Sequence, residues 1–322
     1  MTFRNAANIK LSQLRTFVAI AEAGGFARAA AQLDLTQSAA SRQIIALESE
    51  LGVSLFDRNG QHIRLTVAGE DLLRRARRLL VDADSLAERA QALRGGQSGT
   101  LRVSASTQVL ESVLAPFLVH YQQRHPGVEV QLLESPLDRH IQLERGEIHL
   151  AIMPALDAQR FSRRLLYPIY LLAVVARAHR LARRAVMDVA EIADEPLLVL
   201  KHGFGARAWF DGACSAAGLR AKILLESGAP ATLVALAEVG HGVAVIPSNV
   251  PTLGRAVHSV LLVQGEEPIG RWSSIVWNPR RFLPPYAEDF VDELVARVRR
   301  DFPGREYGRR APPLRRPSES TE

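Results

Sequence analysis

Small polar residues at helical spacing are the first side chains in the sequence whose chemistry suits a particular partner. They supply one amide, two hydroxyls and one guanidinium, from Gln37, Ser38, Ser41 and Arg42. A DNA major groove admits one α-helix, and side chains of these types read the edges of its base pairs. The four residues are therefore candidates to enter a DNA groove. The alternative is that they form an ordinary solvated helix face.

The helix that carries these residues is predicted to begin at Thr36 and to end at Gly52. The Thr36 hydroxyl can accept a hydrogen bond from a first-turn N–H group, so Thr36 is predicted to be the N-cap at the DNA-facing end. Apolar residues recur on the other side of the helix, at Ala40, Ile44, Leu47 and Leu51. Two shorter helices are predicted before it, one that stops at Gly24-Gly25 and one over about residues 26–33.

A short hairpin is predicted after the third helix. Asn59 and Gly60 favour a tight turn because both residues tolerate positive φ. The flanking segments are short, so the hairpin forms a small β-wing rather than a sheet. Arg58 and Arg64 lie on this wing and are expected to contact phosphate or the minor groove.

A leucine repeat indicates one long helix over residues 66–93. Leucines recur every seven residues, at Leu65, Leu72, Leu79, Leu86 and Leu93. Alanines fill the alternate seam positions, which gives the heptad pattern of a helix that pairs with another helix. Arginines keep its other faces solvated, at Arg74, Arg75, Arg77 and Arg78. We predict a dimerisation helix; the alternative is an amphipathic helix that lies on its own core.

Strand-like and helix-like segments alternate after a glycine-rich break at residues 94–99. Short, nearly continuous apolar strands that alternate with helices predict a parallel sheet covered on both faces. About 200 residues are enough for two such units, each of doubly wound type. The last 20 residues, from Pro303, are rich in Arg and Pro, so we expect a disordered tail.

Composition and charge exclude several classes of protein. The 322 residues contain a single cysteine, Cys214, so an internal disulfide cannot form. Lys and Arg number 40 against 34 Asp and Glu, and the net charge of +6 suits DNA but also many solvated surfaces. No apolar run approaches the roughly 18 residues that span a bilayer, and the N-terminus lacks the apolar core of a signal peptide. We expect a cytoplasmic protein without membrane association.

The N-terminal motifs resemble the helix-turn-helix of the LysR-type bacterial transcription regulators. They are Leu11-Ser12-Gln13-Leu14-Arg15-Thr16-Phe17, Gly25-Phe26-Ala27-Arg28-Ala29-Ala30, Thr36-Gln37-Ser38-Ala39-Ala40-Ser41-Arg42-Gln43-Ile44, Leu55-Phe56-Asp57-Arg58 and Leu65-Thr66-Val67-Ala68-Gly69. The resemblance covers roughly residues 9–300. It implies an α/β protein with an N-terminal all-α winged helix-turn-helix over residues 1–66. A linker and dimerisation helix with a hinge would follow over 67–97, then a two-lobed effector-binding domain similar to periplasmic binding proteins over 98–302, and a tail over 303–322.

The resemblance also implies a regulator that binds double-stranded DNA as a dimer or tetramer and holds an effector between its two lobes. Ligands of such sheets sit at the carboxyl ends of the strands. Residues that follow two of the predicted strands are the candidates here: Ser106, Thr107, Lys201, His202, Phe204 and Gly205. The hydroxyls, the N-terminal amides and the basic side chains together suit a carboxylate or another small anion. The alternatives are an ordinary N-cap for the first pair and a solvated loop for the lysine and histidine.

Two other classes of function fit the sequence less well. An enzyme needs a nucleophile–base pair, a metal cluster or a phosphate loop, and the sequence has no Gly-x-Ser-x-Gly, no glycine-rich phosphate loop before a helix and no zinc-ligand spacing. A solute-binding protein would explain the α/β half but would leave residues 1–93 without a role. We therefore expect a regulator with no catalytic residues, no metal and no cofactor.

Overall fold

A computed structural model of the chain describes residues 8–57, 63–93, 98–134, 138–155, 160–310 and 312–317. The chain divides into two compact units, residues 1–91 and 92–322. The first unit is built from helices and a two-stranded hairpin, and the second from a mixed sheet with helices packed against it. Among the described residues, no helix is both long enough and apolar enough to cross a membrane.

The elements of the first unit are α1 (Leu11–Ala23), α2 (Phe26–Gln32), α3 (Gln37–Leu51), α4 (Val67–Leu93) and an antiparallel pair, β1 (Phe56–Asp57) with β2 (Arg64–Leu65). Three residues of the predicted apolar stripe of α3, Ala40, Ile44 and Leu47, are fully buried, which confirms how this helix faces the core. The ring of Phe17 on α1 packs edge-on against that of Phe56, with 5.5 Å between ring centroids. This contact holds the hairpin against the helical core.

Side-chain caps set where α3 and α4 begin. The Thr36 hydroxyl accepts a hydrogen bond from the backbone N–H of Ala39 at 3.1 Å, which confirms the predicted N-cap. The Thr66 hydroxyl accepts from the N–H of Gly69 at 2.9 Å in the same way. A Cβ atom on Gly69 would lie 2.1 Å from the carbonyl oxygen of Leu55, so only glycine lets α4 begin this close to the hairpin.

The second unit has two lobes, and one long strand, β6 (Ser162–Ala176), runs through both. The first lobe contains β3 (Gly99–Ala105), β4 (Val128–Glu134), β5 (Leu150–Pro154) and β13 (Gly270–Trp277). The second lobe contains β7 (Val186–Asp188), β8 (Leu197–Leu200), β9 (Ile223–Ser227), β10 (Val243–Pro247), β11 (Val257–Gln264) and β12 (Glu267–Pro268). Residues 162–170 of β6 pair with β13, whereas residues 171–176 pair with β10 and β11.

The sheets are parallel only in part, which differs from the sequence prediction. β3 pairs in parallel with β4 and β5, and β8 pairs in parallel with β9 and β10. β6 and β13 run antiparallel to their neighbours. These two strands carry the chain from one lobe to the other and back, so they are not joined to their neighbours through the helical crossover that makes strands parallel.

Helices cover both lobes. Those of the first lobe are α5 (Thr107–Val109), α6 (Ala115–Arg124), α7 (Arg139–Arg145) and α10 (Pro285–Arg300), with a π-helical turn at Leu110–Leu114. Those of the second lobe are α8 (Gly205–Ala216) and α9 (Pro230–Glu238). The rings of Phe117 and Tyr121 on α6 each pack edge-on against Phe290 on α10 at 5.0 Å. This aromatic cluster joins an early and a late segment of the chain in one core.

The C-terminal segment from Pro303 is ordered where the structure describes it, in contrast to the disordered tail predicted from its composition. It forms a 3-10 turn at Arg305–Arg309, and Tyr307 within that turn is buried in the core of the second lobe. Leu314 packs against the same core, and its carbonyl oxygen accepts a hydrogen bond from Nε1 of Trp272 at 3.3 Å. Tyr307 and Leu314 therefore attach the segment to this core, and Arg310 adds a hydrogen bond to the carbonyl oxygen of Ser259 at 3.3 Å.

Candidate DNA-binding surface and inter-lobe cavity

The polar face of α3 is open to solvent. Thr36, Gln37, Ser38 and Arg42 are exposed, and Ser41 is half-buried on the same helix. The hydroxyls of Thr36 and Ser38 lie 3.1 Å apart, within hydrogen-bond distance. Hydroxyl, amide and guanidinium groups therefore project from the first two turns of one helix, as groove recognition requires.

Two hydrogen bonds fix α3 to the rest of the first unit. The hydroxyl of Thr16, which is 1% exposed, donates to Oε1 of Gln43 at 2.7 Å. Oε1 of Glu48 accepts from the N–H of Leu55 at 2.8 Å. One bond ties α3 to α1 and the other ties it to the segment that leads into β1. The polar face of α3 is thus held in a fixed orientation, which base recognition needs.

The predicted wing is described only at its two ends. Arg64 lies on β2 opposite Asp57 of β1, and its side chain is exposed. Arg58 and the predicted Asn59-Gly60 turn lie outside the described residues.

The leucine seam of α4 divides into two parts. Leu65 and Leu72 pack against the core of the first unit, whereas Leu79 is 52% exposed and Leu86 is 72% exposed. Leu93 is the last residue of α4, and its side chain lies outside the described part of the chain. The first half of the seam therefore belongs to the helical core, and the second half leaves two leucines in solvent.

Ion pairs attach α4 to α1. Arg77 contacts Glu22 at 3.0 Å, and Arg15 contacts Asp84 at 3.5 Å. Exposed pairs of this kind contribute little stability, but two of them along one helix favour a single direction for α4.

A cavity of about 70 Å³ lies between the two lobes of the second unit. Its walls include Ser106, Arg139 and Ser273 from the first lobe, and Gly205, Trp209 and Asn249 from the second. Much of the remaining lining is apolar. Sites for small molecules commonly have this character, with a few polar groups in an apolar cleft between lobes.

Arg139 is the charged group of this cavity. It is only 7% exposed, and its Nε and Nη2 atoms have no hydrogen-bond acceptor among the residues that the structure describes. Burial lowers the pKa of Arg139 to about 10, so the guanidinium stays positively charged at neutral pH. A buried charge without a partner is costly, and an anion in the cavity would remove that cost.

Three uncharged polar groups lie close together where the lobes are joined, and two of them, Asn249 and Ser273, line the cavity. Tyr167 is on β6, Asn249 follows β10, and Ser273 is on β13. Burial raises the pKa of Tyr167, and the Asn249 and Ser273 side chains oppose that rise, which shows that the three groups are close together. Tyr167 OH, Asn249 Oδ1 and Ser273 Oγ make no hydrogen bond of good geometry to a described residue. Of the three, the Asn249 and Ser273 side chains line the cavity, so a ligand there would reach these two.

The structure brings only half of the sequence-predicted effector residues to the cavity. Ser106, Phe204 and Gly205 line it. Thr107, Lys201 and His202 are not part of the lining. The His202 ring is 74% exposed and lies 3.1 Å from Nη2 of Arg207.

Arg139 is the important residue that the sequence reasoning missed. It lies four residues before the buried Leu143 on the inward side of α7. Helical spacing predicts an apolar residue at this position of α7. The arginine found there instead is the signal that the sequence offered for a buried polar site.

Family models match both units. Residues 11–70 match the bacterial regulatory helix-turn-helix protein, lysR family, and residues 94–299 match the LysR substrate binding domain. The HTH-type transcriptional regulator IlvR of Caulobacter vibrioides is 33% identical over 85% of this chain and 94% of its own length. The chain therefore belongs to the LysR family of bacterial regulators. It is a DNA-binding transcription regulator with a substrate-binding domain, and not an enzyme.

Solved structures agree on the fold. CbnR, a LysR family transcriptional regulator, superposes with a TM-score of 0.67 at 24% identity, covering 90% of this chain and 99% of CbnR. OxyR of Pseudomonas aeruginosa has a TM-score of 0.67 at 23% identity, over 92% of this chain and 99% of OxyR. CbnR has also been solved in complex with its target DNA, with a TM-score of 0.66 to this chain at 24% identity over 90% of this chain and 99% of CbnR.

Proposed function

We propose that this regulator binds specific DNA sites in the cytoplasm through α3 and that a small anion in the inter-lobe cavity modulates that binding. In this proposal residues 1–66 bind DNA, 67–97 dimerise and 98–302 bind the effector. Arg139 is the observation that carries the effector part, because a buried guanidinium with no described partner faces the cavity. An anion would supply that partner.

The DNA part rests on the exposed polar face of α3. Gln37, Ser38, Ser41 and Arg42 would enter the major groove, with Thr36 close to the backbone at the start of the helix. Arg42 is suited to a guanine edge because a guanidinium can donate two parallel hydrogen bonds to it. Arg64 on the wing, with Arg58, would contact phosphate, which adds affinity for any sequence.

Self-association rests on the exposed half of the leucine seam. Leu79 and Leu86 lie one heptad apart on α4, so a second copy of the same helix would bury both. A dimer of this kind presents two copies of α3 to a DNA site with dyad symmetry. Two such dimers would form the tetramer that the family resemblance implies.

For the anion to act as a switch, it must bind one arrangement of the lobes more tightly than another. A ligand that binds both arrangements equally shifts nothing. Arg139 is on the first lobe, and Gly205 and Asn249 are on the second, so a ligand that contacts all three favours one lobe angle. That angle would then alter how paired copies span and bend DNA.

Sheared host genomic DNA retained by the purified protein tests the DNA-binding part. We expect a few discrete sites with dyad symmetry for the wild type and their loss for Arg42→Ala, with roughly 5- to 150-fold weaker binding to a retained site. Arg64→Ala should weaken binding to a retained site and to its scrambled sequence alike, because it removes a phosphate contact. Arg299→Ala, a surface change on α10 with the same loss of charge, is the control. Equal losses on both sequences for Arg42→Ala would exclude its groove role.

Replacing both exposed leucines of α4 tests self-association. The variant Leu79→Glu/Leu86→Glu is expected to be monomeric in sedimentation velocity at concentrations where the wild type is dimeric, because two buried carboxylates would repel across the seam. Glutamate keeps the helix propensity of these positions high, so α4 itself should remain folded. An unchanged sedimentation coefficient would rule out this seam as the dimer interface.

A further inference from the structure

The inter-lobe cavity has a positive group on one wall and a helix end on the other. Arg139 comes from the first lobe and is only 7% exposed. Its Nε and Nη2 atoms have no hydrogen-bond acceptor in the part of the chain that the structure describes. Opposite it, α8 begins at Gly205 and Ala206, which line the cavity, and no side chain caps this end of the 12-residue helix. First-turn N–H groups of a helix attract anions. Together the two walls favour a carboxylate.

Among the residues that the structure describes, no acidic side chain belongs to this lining. The side chains that the structure places around the cavity include no aspartate or glutamate. An ammonium group on the ligand would therefore meet no counter-charge there and would lie close to the Arg139 guanidinium. This arrangement disfavours an amino acid, even though an amino acid carries a carboxylate.

The cavity volume limits the ligand to a few atoms. A water molecule needs about 10–15 Å³ of this kind of volume, so the 70 Å³ cavity holds the equivalent of about five to seven non-hydrogen atoms. Trp209 and Ile152 supply apolar surface for a short hydrocarbon segment. Aromatic acids, and dicarboxylic acids of four or more carbons, are larger than this space.

Two uncharged polar side chains of the lining call for a hydroxyl group. Asn249 Oδ1 can only accept a hydrogen bond, and Ser273 Oγ can donate or accept. A hydroxyl on the ligand would donate to the first and accept from the second. A bare alkyl chain would offer neither group a hydrogen bond, which is costly in a buried site.

We propose that the cavity binds a short 2-hydroxycarboxylate, with its carboxylate between Arg139 and the start of α8 and its hydroxyl on Asn249 and Ser273. Acids of about three to four carbons fit the available space. The inference rests on the proposed function in one respect only, namely that this cavity takes a small anion; the effect of that anion on DNA binding belongs to the proposed function alone.

Calorimetric titration of the full-length protein with four matched probes tests each part of the recognition. We expect 2-hydroxybutyrate to bind most tightly and butyrate, which lacks the hydroxyl, to bind roughly tenfold more weakly. Butyramide, which lacks the charge, should show no measurable binding. 2-Aminobutyrate should bind at least tenfold more weakly than 2-hydroxybutyrate, since its ammonium meets no carboxylate in the described lining and lies close to the Arg139 guanidinium.

Variants separate the two polar contacts. Arg139→Met should abolish binding of both butyrate and 2-hydroxybutyrate, whereas Arg145→Met, a surface arginine on the same helix, should change neither affinity. Ser273→Ala should reduce the preference for 2-hydroxybutyrate over butyrate, because only the hydrogen bond to Asn249 remains, and should leave butyrate affinity unchanged. A serine with an unbonded, buried hydroxyl tolerates this change, so the variant is expected to fold.

Three results would overturn the inference. They are equal affinity for butyrate and butyramide, wild-type affinity in Arg139→Met, and no binding of any probe at about 10 mM, the weak end of useful affinities. Gel-shift titration with a retained DNA site then separates the two proposals. If 2-hydroxybutyrate binds through Arg139 but leaves DNA affinity unchanged, the ligand class stands and the effector role fails.

Discussion

Two arginines in the second unit are buried to nearly the same degree but are held in opposite ways. Arg139 in the first lobe is 7% exposed, and Arg207 in the second lobe is 5% exposed. Arg207 donates to Asp211 at 2.8 Å, to Glu226 at 2.5 Å and to the carbonyl oxygen of Leu200 at 2.9 Å. Arg139 has two guanidinium nitrogens with no described acceptor.

The pKa values of the two arginines move in opposite directions for this reason. Burial acts to lower the pKa of Arg207, but hydrogen bonds to Glu226 and Asp211 outweigh it, so the pKa is raised. Burial acts alone on Arg139 and lowers its pKa to about 10. Arg207 thus stabilises the loop after β8, whereas Arg139 carries an uncompensated charge that a ligand can use.

Loss of Arg207 is expected to have the largest effect on stability. Arg207→Met leaves two carboxylates and the Leu200 carbonyl without their donor, and we expect a loss of about 2–3 kcal/mol in the free energy of unfolding. This is below the full cost of breaking a buried pair, because Asp211 and Glu226 are 40% and 38% exposed and can be rehydrated.

Tryptophan fluorescence during urea unfolding measures this change. The three tryptophans, Trp209, Trp272 and Trp277, all lie in the second unit, so the signal reports that unit. Arg299→Met is the control for loss of a surface arginine. A midpoint for Arg207→Met equal to that of the control would show that the Arg207 network is not structural.

Loss of Arg139 is expected to increase the stability of the unliganded protein, in contrast to loss of Arg207. Arg139→Met replaces an unpaired buried charge by an apolar side chain of similar length, so the unliganded protein should gain about 1 kcal/mol and unfold at a temperature about 2–4 °C higher. Scanning calorimetry without added anions measures it. Destabilisation by more than 1 kcal/mol would mean that Arg139 already has a partner in the fold.

The smallest effect concerns the pH dependence of the Arg207 network. The hydrogen bond from Arg207 holds the pKa of Glu226 below its usual value of 4.5. A lowered carboxyl pKa contributes stability above pH 4.5, and this contribution is lost as the pH falls through the lowered pKa. In urea unfolding followed by tryptophan fluorescence, the free energy of unfolding of Glu226→Gln should therefore differ most from that of the wild type near pH 7, and the two values should converge in acid. Glu266→Gln, at an exposed site of the same lobe, should follow the wild-type curve throughout. A constant difference across pH would disprove the linkage.

The sequence predicted correctly those structural features that depend on residues close together along the chain. The Thr36 cap and the buried stripe of α3 follow from local spacing, and the structure confirms both. The C-terminal segment shows the limit of local composition. Its arginines and prolines suggested disorder, but Tyr307 is held by contacts with the distant core of the second lobe.

The cavity could not be predicted in the same way, because its groups come from distant parts of the chain. Ser106, Arg139, Gly205, Asn249 and Ser273 meet only through the passage of β6 and β13 between the lobes. Lys201 and His202 suggested an anion site from the sequence, but neither side chain lines the cavity. The nearby Arg207 network holds His202 at the surface instead.

The return of the chain to the first lobe has a consequence for biosynthesis. Strand β5 ends at Pro154, but its partner β13 begins only at Gly270. At about 5–20 residues per second, a ribosome needs roughly 6–23 s to synthesise the segment between them. During that interval the edge of β5 that later meets β13 is unpaired, and unpaired strand edges are prone to aggregation. The nascent first lobe is therefore where chaperone binding would protect the chain most.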